Sequence, residues 1–550
     1  FDARDADVQV TGSGGVAIIA ELGEELVREG RLAVGDITTI YSGQSELLSP
    51  DQGLDPMAAD FRIQGYERND GSHAQFLVVQ GPQLHGKLPG LTLEESGSYG
   101  LTLGTIHRAL FTTLNIQPGR RLFVEGAATG TGLDCLRSAI KTGLQAVGMV
   151  SSDDRAQRVR DHGGEAVNRK DARWRSIFSP VPDDPAQWSS WEQEGEAFVE
   201  TTWDLAGGPL DYVVSHAGEK AFSRSFQLLG EQGVLTFYGA SSGYRFSFMG
   251  KAGSETPAAM FARAGLRAGQ SLLVVYGPGA EDHMVDPVAI EAIEVGCKLG
   301  AQVAVLADTI SQREFVSSLG FGSRLTGVVS IEEIHRRLGD DFDPPGPFAA
   351  LPDAFTESEG FKEGVRQFSD RTLKPIGSAI APFLRNTLDR RGLPDVVFER
   401  RGRDGLALAS SLVKPNVGKV VYAENLKGMR LSFYAPQVWM RQRHILMPSA
   451  EIRGTHLNTS REFAEMQERI AAGLIDIMAP VPVDMDGVAD AHQAMWENRH
   501  EGANYVALHA LPRLGLKTRD ELYRAWAIRD AQERGETFER IDTGSAGALR

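Results

Sequence analysis

The chain has 550 residues, of which 42% are hydrophobic and 24% charged, a composition typical of soluble globular proteins. That length exceeds what one hydrophobic core supports, so we expect about three or four domains. The formal net charge of −16 argues against a nucleic-acid partner or an anionic membrane, although a local basic pocket can accept an anionic small molecule.

The only cysteines in the sequence are Cys135 and Cys297, both in predicted helices. They exclude a disulfide framework and a four-cysteine zinc site, and they favour a reducing, cytoplasmic location. No apolar run is long enough to predict a membrane span. The chain opens FDARDADVQV, with neither an initiator methionine nor a signal peptide, which suggests a piece of a longer protein.

Along the chain, residues 7–86 are predicted to be β-rich, and 92–114 to form a helix with Glu94 and Glu95 in its first turn. After a turn at 117–119, predicted strands and helices alternate: RLFVEG (121–126), the helix Thr131–Thr142, LQAVGMV (144–150), the helix DRAQRVRDHG (154–163), LDYVVSHAG (210–218) and VLTFYGA (234–240). This alternation indicates an α/β fold with a doubly wound parallel sheet.

The same pattern then recurs. Four later segments mirror four earlier ones in order: 271–282 and 121–132, 300–313 and 143–155, 393–402 and 209–218, 419–433 and 234–248. The alignment pairs Asp395 with Asp211, Gly402 with Gly218, and Phe433 with Phe248. Ordered matches of this kind indicate a duplicated nucleotide-binding, Rossmann-like domain, and the Pro-rich stretch 340–355 is interpreted as a surface excursion within the second copy.

The segment VEGAATGTGLD (124–134) joins a predicted strand to a predicted helix through a glycine-rich turn. Backbone N–H groups must approach a pyrophosphate closely, which a Cβ would obstruct, and the helix N-terminus adds partial positive charge. The spacing departs from the strict G-x-G-x-x-G pattern, so a tight packing turn is the alternative. The predicted cofactor-binding residues of the turn are Gly126, Ala128, Thr129, Gly130, Thr131 and Gly132.

The second predicted strand ends at Ser151 and Ser152, with Arg155 shortly after. Hydroxyl groups with a cation suit the 2′-phosphate of NADPH, whereas an acidic residue would favour NAD. We therefore predict NADPH as the cofactor, bound by these three residues. Asp153 and Asp154 either contradict that prediction or begin the next helix as favourable N-terminal anions.

The equivalent turn of the second copy reads VVYGPGAED. Pro278 stiffens it, and Glu281 and Asp282 place negative charge where a pyrophosphate would bind. Its second strand ends at Ala307 and Asp308. We therefore predict that the second copy is a scaffold without a nucleotide site.

Several segments together carry a family likeness: GYERNDGSHAQF (65–76), LTLEESGSYGLTLGTIHRALF (91–111), AATGTG (127–132), SSDDR (151–155), VNRKD (167–171), WMRQRHILMPSAEIRGTHLNTSREF (439–463), MWENRHEGANYVALHA (495–510) and PRLGLKTRDEL (512–522). They resemble the medium-chain dehydrogenase/reductase superfamily, specifically its crotonyl-CoA carboxylase/reductase branch. The likeness covers roughly 7–250 and 430–525. The duplicated, fused arrangement is similar to the reductase part of propionyl-CoA synthases.

The resemblance implies a division into domains: 1–115 a partial GroES-like catalytic domain, 116–265 the NADP-binding Rossmann domain, 266–433 a second, degenerate Rossmann-like domain, 434–515 the C-terminal part of the reductase fold, and 516–550 a helical tail. Family members carry further catalytic-domain strands ahead of the region matching residue 7. We expect these on the remaining N-terminal part, or on another domain, of a larger synthase.

The implied activity is NADPH-dependent reduction of an enoyl-CoA thioester, with hydride reaching the β-carbon of acrylyl-CoA to give propionyl-CoA. Such a site must position the nicotinamide against the β-carbon and supply donors where enolate charge develops at the thioester oxygen. It needs no metal, and neither cysteine lies on the loops that bind zinc in the related alcohol dehydrogenases.

The resemblance also implies residue roles. His456 faces the acyl end of the substrate, Asn69 and His73 lie in a loop near the pocket, and Thr105 lies near the cofactor. A structural histidine and a surface turn at Asn69 are the alternatives. His216, at the carboxyl end of a strand, is predicted to line the nicotinamide ribose. The small residues Gly239, Ala240 and Ser241 are predicted to pass under the nicotinamide ring.

The sequence leaves alternatives for the coenzyme A contacts, the reaction and the oligomeric state. The basic clusters 390–403 and 441–444 are either coenzyme A contacts or solvated faces. The function is either simple reduction, reductive carboxylation of the same enolate, or a non-catalytic nucleotide-binding scaffold. Superfamily members pair through an edge strand, so a homodimer is expected unless the duplicated domain mimics that pairing within one chain.

Overall fold

The computed structural model describes residues 8–45, 61–74, 76–251, 253, 255–277, 285–339, 374–388, 393–402, 405–416, 418–423, 430–497, 499–500 and 504–508. The predicted excursion at 340–355, the segment 512–522 and the predicted tail at 516–550 lie outside these residues. None of the described helices has the length and apolar character that crossing a membrane requires.

The strands are β1 Gly15–Ile18, β2 Ile37–Ile40, β3 Gly43–Gln44, β4 Arg62–Ile63, β5 Leu84–Gly86, β6 Arg121–Val124, β7 Gln145–Val150, β8 Glu165–Asn168, β9 Leu210–Ser215, β10 Leu229–Phe237, β11 Arg245–Met249, β12 Ser271–Val275, β13 Gln302–Ala307, β14 Leu325–Ser330, β15 Val396–Glu399, β16 Lys419–Tyr422, β17 Arg430–Tyr434, β18 His444–Met447, β19 Ala450–Gly454, β20 Val481–Asp484 and β21 Tyr505–Leu508.

The α-helices are α1 Glu24–Glu29, α2 Leu93–Ser98, α3 Thr102–His107, α4 Gly130–Lys141, α5 Asp153–Asp161, α6 Trp188–Ala206, α7 Glu219–Gln227, α8 Pro257–Ala264, α9 Pro287–Lys298, α10 Ile310–Ser318, α11 Ile331–Leu338, α12 Lys374–Thr387, α13 Leu406–Leu412, α14 Ala435–Trp439, α15 Ser460–Ala471 and α16 Val488–Trp496.

The amino-terminal region contains a small sheet, β1-β2-β5, as the β-rich pattern of 7–86 predicts. It also contains the short polar helix α1, which the sequence analysis missed. The single helix predicted over 92–114 is wrong in detail. It divides into α2, capped by Thr92, then α3, then a π-helical segment at Arg108–Leu114.

The centre of the molecule is one 12-stranded sheet in the order β14-β13-β12-β15-β16-β18-β19-β10-β9-β6-β7-β8. The first copy of the nucleotide fold contributes β6 to β10 and β19, and the second copy contributes β12 to β16 and β18. In each copy the strand order is that of the doubly wound dinucleotide-binding fold. The predicted α/β fold class and its duplication are therefore confirmed.

Matching hydrogen bonds show the duplication at atomic level. The Gly119 N–H donates to the Gly143 carbonyl at 2.9 Å, and the Gly269 N–H donates to the Gly300 carbonyl at 3.0 Å. All four glycines have positive φ angles, so each pair closes the same turn before strands one and two of its copy.

A tight hairpin joins the two copies. β18 pairs with β16, β19 pairs with β10, and the two strands pair antiparallel with each other, with Ile445 opposite Ile452. β11 and β17 also pair antiparallel across the junction, centred on Ser247 and Ser432. The second copy is thus inserted between strands five and six of the first. One hairpin supplies the sixth strand of both.

A phenylalanine-rich core fixes this junction. The buried rings of Phe222, Phe237, Phe246, Phe248 and Phe433 lie within 4.2 to 6.3 Å of their neighbours in the cluster. Aromatic pairs at these separations stabilise a core beyond the area that they bury. The predicted correspondence of Phe248 and Phe433 follows from the register, because each is one residue beyond the central serine pair.

Candidate nucleotide and substrate site

The glycine-rich turn follows β6 and leads directly into α4. Gly126 has a φ of 57°, and a Cβ added there would lie 2.8 Å from Cε1 of His216. A Cβ on Gly132 would lie 2.2 Å from the Gly126 carbonyl oxygen. The Thr129 hydroxyl accepts from the Gly132 N–H at 3.2 Å and donates to the Gly126 carbonyl at 2.7 Å. The backbone of the turn is therefore closely packed at Gly126 and Gly132, and the Thr129 hydroxyl caps the first turn of α4.

Other members of the predicted turn have different surroundings. Gly130 and Thr131 form the first turn of α4, whereas the methyl group of Ala128 is buried in the core beneath the sheet. Ala128 can therefore contribute to a ligand only through its backbone.

Glu125 fixes the strand end beside this turn. Its buried carboxylate accepts from the backbone N–H groups of His216 and Ala217 at 3.0 and 2.8 Å, and from the Ser225 hydroxyl at 2.6 Å. The His216 ring stacks on Tyr238 with 5.5 Å between centroids. Burial lowers the pKa of His216, opposed by the charge of Glu125. The sequence pattern did not single out Glu125, although it directly precedes Gly126.

The predicted 2′-phosphate residues lie together at the end of β7. The Arg155 guanidinium donates to the Ser151 hydroxyl at 2.9 Å, and the Ser152 hydroxyl caps α5 by accepting from the Arg155 N–H. Asp153 and Asp154 form the first turn of α5, which is the helix-start interpretation of these residues.

His500 also lies near this strand end, and the sequence analysis did not predict it. Its pKa is lowered by burial and by the charges of Arg155 and Arg158. No sequence pattern connects His500 with a strand that lies more than three hundred residues earlier.

The segment after β10 lies beside the carboxyl end of β9, next to His216 and Ala217. Gly239 is exposed with a φ of 62°, and Ala240 is half-buried. The Ser241 hydroxyl donates to the Ala217 carbonyl at 3.1 Å, and its N–H donates to the His216 carbonyl at 3.4 Å. The structure thus brings 239–241 and His216 together beside the glycine turn, as the sequence analysis predicts.

His456 follows β19, with its ring edge against Phe61 at 5.8 Å between centroids. Burial lowers its pKa to about 4, assisted by the charges of Arg108 and Arg441. The imidazole is therefore neutral at pH 7 within a positively charged environment. Arg108 is paired in turn with Glu462.

Asn458 and Thr105 lie close to this loop. A Cβ on Gly104 would lie 2.6 Å from Oδ1 of Asn458. Both side-chain polar atoms of Asn458 are buried, with no hydrogen-bond partner among the described residues. The Thr105 hydroxyl donates to the Leu101 carbonyl at 2.9 Å. Asn458 is therefore an additional candidate ligand group, which its place in the motif RGTHLN (453–458) could have indicated.

The other two predicted catalytic residues have surface environments. Asn69 is exposed, and its carbonyl accepts from the Val10 N–H. The His73 ring bonds the Thr11 hydroxyl at 2.9 Å and contacts the ring of His492. Their catalytic roles remain predictions, with the surface-turn alternative open.

Two arginines of the basic clusters 390–403 and 441–444 are buried and do not belong to solvated faces. Arg443 is 5% exposed and bonds the carbonyls of Gln437 and Ser411, so the solvated-face interpretation is wrong for it. It is equally wrong for Arg400, which is 2% exposed. Only Arg441 of the 441–444 cluster contributes to the charge around His456.

In the second copy, side chains fill the position that corresponds to the glycine-rich turn. Tyr276 stands at the position of Gly126 and is fully buried, and its hydroxyl accepts from the Asp286 N–H at 2.7 Å. The Asp286 carboxylate caps α9 and forms a bidentate pair with Arg400 at 3.0 and 3.1 Å. An internal carboxylate thus occupies the helix N-terminus that would receive phosphate. Pro278, Glu281 and Asp282, on which the prediction of a lost nucleotide site rests, lie outside the described residues.

Within the described ranges, the structure contains no group of three or more His, Cys, Asp or Glu side chains that could hold a metal ion.

No protein-family model matches the chain. It is 32% identical over 256 residues to the crotonyl-CoA carboxylase/reductase of Cereibacter sphaeroides, covering 45% of this chain and 58% of that protein. It is 29% identical over 219 residues to the crotonyl-CoA reductase of Streptomyces collinus, covering 39% of this chain and 47% of that protein. The chain is thus similar in sequence to crotonyl-CoA carboxylase/reductases over part of its length.

A solved structure supports the same fold. The crotonyl-CoA carboxylase/reductase AntE, solved in complex with NADP, superposes with a TM-score of 0.51 at 16% identity, covering 92% of this chain and 78% of that one. The chain spans about half of the length of the curated relatives that it matches.

Proposed function

We propose that this chain is the reductase part of a larger enzyme that reduces an enoyl-CoA thioester with NADPH. The observation that carries the proposal is the Gly126–Gly132 turn. It combines an open helix N-terminus with two positions where any side chain would collide with neighbouring atoms. The sequence relationship to crotonyl-CoA carboxylase/reductases supports the substrate class.

The chain's own residues fit the dinucleotide. The N-terminal N–H groups of α4 would bind the pyrophosphate, and Ser151 with Arg155 would bind the adenosine 2′-phosphate. His216 would line the nicotinamide ribose, and the 239–241 segment would pass under the nicotinamide ring. When bound, NADPH supplies the hydride for the β-carbon of the substrate.

At the acyl end, a neutral His456 has one nitrogen that donates a hydrogen bond and one that accepts. Placed at the thioester oxygen, its N–H would stabilise the enolate that hydride addition creates, and the positive charges of Arg108 and Arg441 would assist. Asn458 would add an amide whose polar atoms are available for a ligand.

Within this class we propose acrylyl-CoA as the substrate and propionyl-CoA as the product, as part of a propionyl-CoA synthase. The support is the resemblance of the duplicated, fused arrangement to the reductase part of such synthases. Cytoplasmic location and association with other synthase domains belong to the same proposal.

The assay is NADPH oxidation at 340 nm with acrylyl-CoA and with crotonyl-CoA, followed by NADH in place of NADPH. We expect acrylyl-CoA with NADPH to give the highest kcat/KM. Product analysis with and without bicarbonate separates simple reduction from reductive carboxylation. Reductive carboxylation is supported by the name of the Cereibacter sphaeroides protein, a crotonyl-CoA carboxylase/reductase. Tight NADPH binding without any oxidation would instead support a non-catalytic scaffold.

The seat itself is tested by Gly126→Ala, which introduces both a strained φ and a Cβ against His216. We expect the NADPH Kd to rise at least tenfold. Gly30→Ala is the matched control, because Gly30 has a φ of 65° with no atom within 4 Å of an added Cβ. Unchanged NADPH affinity in Gly126→Ala would reject the proposed seat.

A further inference from the structure

A cleft of about 370 Å³ opens beside the junction of the two copies. Gln270, Lys419 and His444 line it from the amino ends of β12, β16 and β18, and Arg267 and Asn416 line it from adjacent turns. Because β18 and β19 are antiparallel, the amino ends of the second copy's strands lie at the same edge of the sheet as the carboxyl ends of the first copy's strands. The cleft therefore shares an edge with the glycine-rich turn.

Positive charge is concentrated at this cleft in a chain of net charge −16. Lys419 is paired in register with His444, which is paired in turn with Arg453. The pKa of Lys419 is lowered by burial, and the charges of Arg453 and Arg267 act in the same direction. Glu451 opposes them, but its carboxylate is already shared between Arg453 at 2.8 Å and His444 at 3.5 Å. An anion in the cleft would relieve this excess of positive charge.

The duplication provides an internal comparison. The alignment of the two copies matches Arg267 with Gln117 and Lys419 with Val234, so the first copy has a neutral residue at both positions. The two cations are therefore a property of the second copy and not of the shared fold. The second copy, in which side chains fill the position of the glycine-rich turn, has gained a charged cleft elsewhere.

We propose that this cleft binds a phosphate-bearing anion, held by the ammonium group of Lys419 and the guanidinium of Arg267. Gln270 and Asn416 offer amide groups at the same place. Charge-assisted hydrogen bonds from two cations suit a phosphate better than a monovalent anion. The phosphate belongs either to a free anion or to a nucleotide such as the 3′-phosphorylated end of coenzyme A. Either source uses the same two cations.

The experiment measures binding of inorganic phosphate and of 3′,5′-ADP by calorimetry and thermal unfolding, with chloride at matched ionic strength and with saturating NADPH present to occupy the proposed dinucleotide site. We expect both ligands to raise the Tm of the wild-type chain, and Lys419→Met/Arg267→Met to raise the Kd at least tenfold and abolish the Tm shift. Lys298→Met, which removes an exposed cation on α9, is the control and should bind normally.

A charge-conserving variant, Lys419→Arg/Arg267→Lys, should retain binding, which separates charge recognition from a folding defect. Tighter binding of 3′,5′-ADP than of phosphate would identify a nucleotide ligand, and equal binding a free anion. Absence of binding to the wild type, or equal binding to the Lys419→Met/Arg267→Met variant, would overturn the proposal. No arm depends on turnover, so failure of the proposed reductase activity is distinguished from failure of this site.

Discussion

His107 is a buried histidine on α3 whose ring packs against Phe111 at 5.2 Å between centroids. It is 2% exposed, and neither ring nitrogen has a hydrogen-bond partner among the described residues. Its pKa is lowered to about 4, first by burial and then by Arg469, with Glu462 opposing. Such a side chain contributes mainly volume to the core, and its unpaired polar atoms destabilise the folded state.

His107 makes the folded state less stable at low pH. Above pH 6.5 the ring is neutral in both states, so it adds no pH dependence. As the pH falls from 6.5 to 4, the unfolded chain takes up a proton that the folded chain refuses, and stability is lost. We expect His107→Leu to raise the free energy of unfolding by about 2 kcal/mol more at pH 5 than at pH 7.5.

Urea unfolding at the two pH values measures this difference, with His492→Leu on exposed α16 as the control. A gain for His107→Leu that is the same at both pH values would mean that the ring protonates equally in the folded and unfolded chain.

At the scale of elements, a buried glutamate in each copy accepts hydrogen bonds from two backbone N–H groups that follow the fourth strand. The two glutamates come from different strands. In the first copy, Glu125 after β6 accepts from two N–H groups beyond β9. In the second, Glu399 at the end of β15 accepts from the N–H groups of Arg401 and Gly402 at 2.6 and 2.9 Å. Both carboxylates are fully buried.

This symmetry provides a matched pair of variants. Glu125→Gln and Glu399→Gln each place an amide where a carboxylate accepted several donors, so each should lower stability by about 1–3 kcal/mol. Only Glu125→Gln should also weaken NADPH binding, by about tenfold, because only Glu125 positions His216 beside the glycine-rich turn. Chemical unfolding and fluorescence titration with NADPH measure the two effects. Equal NADPH affinity in both variants would show that Glu125 does not contribute to NADPH binding.

Periodicity predicted six elements of the first copy, whereas β8, α6 and α7 were not predicted. The helix predicted at Thr131–Thr142 occurs at Gly130–Lys141, and every strand predicted after residue 120 is present. The break at Tyr99 was not predictable, since 92–114 keeps helical periodicity across it. Likewise the contacts of Glu125 and His500 are with residues distant in the chain, which one sequence does not reveal.

At the scale of the whole molecule, the duplication has produced one glycine-rich turn and one equivalent position filled by a buried tyrosine. Tyr276 stands at the position of Gly126, and it contacts the buried ion pair of Asp286 and Arg400. We expect calorimetry to give one NADPH per chain. Arg400→Met should leave that stoichiometry at one while destabilising the fold by about 3–5 kcal/mol, because it strands a buried carboxylate. Two equivalents per chain would show that the internal ion pair opens.

The junction hairpin also bears on assembly. An edge-strand dimer needs a sixth strand with a free side, but β18 and β19 each have a neighbour on both sides within one chain. The second copy thus takes the place that a partner subunit would hold, and we expect no homodimer through this edge. Light scattering should give the mass of one chain at all concentrations.

Hydrogen exchange then locates the pairing. Protection of the His444–Met447 amides should be unchanged on hundredfold dilution, because pairing within one chain does not depend on concentration. Protection that falls on dilution would place the partner strand on a second molecule.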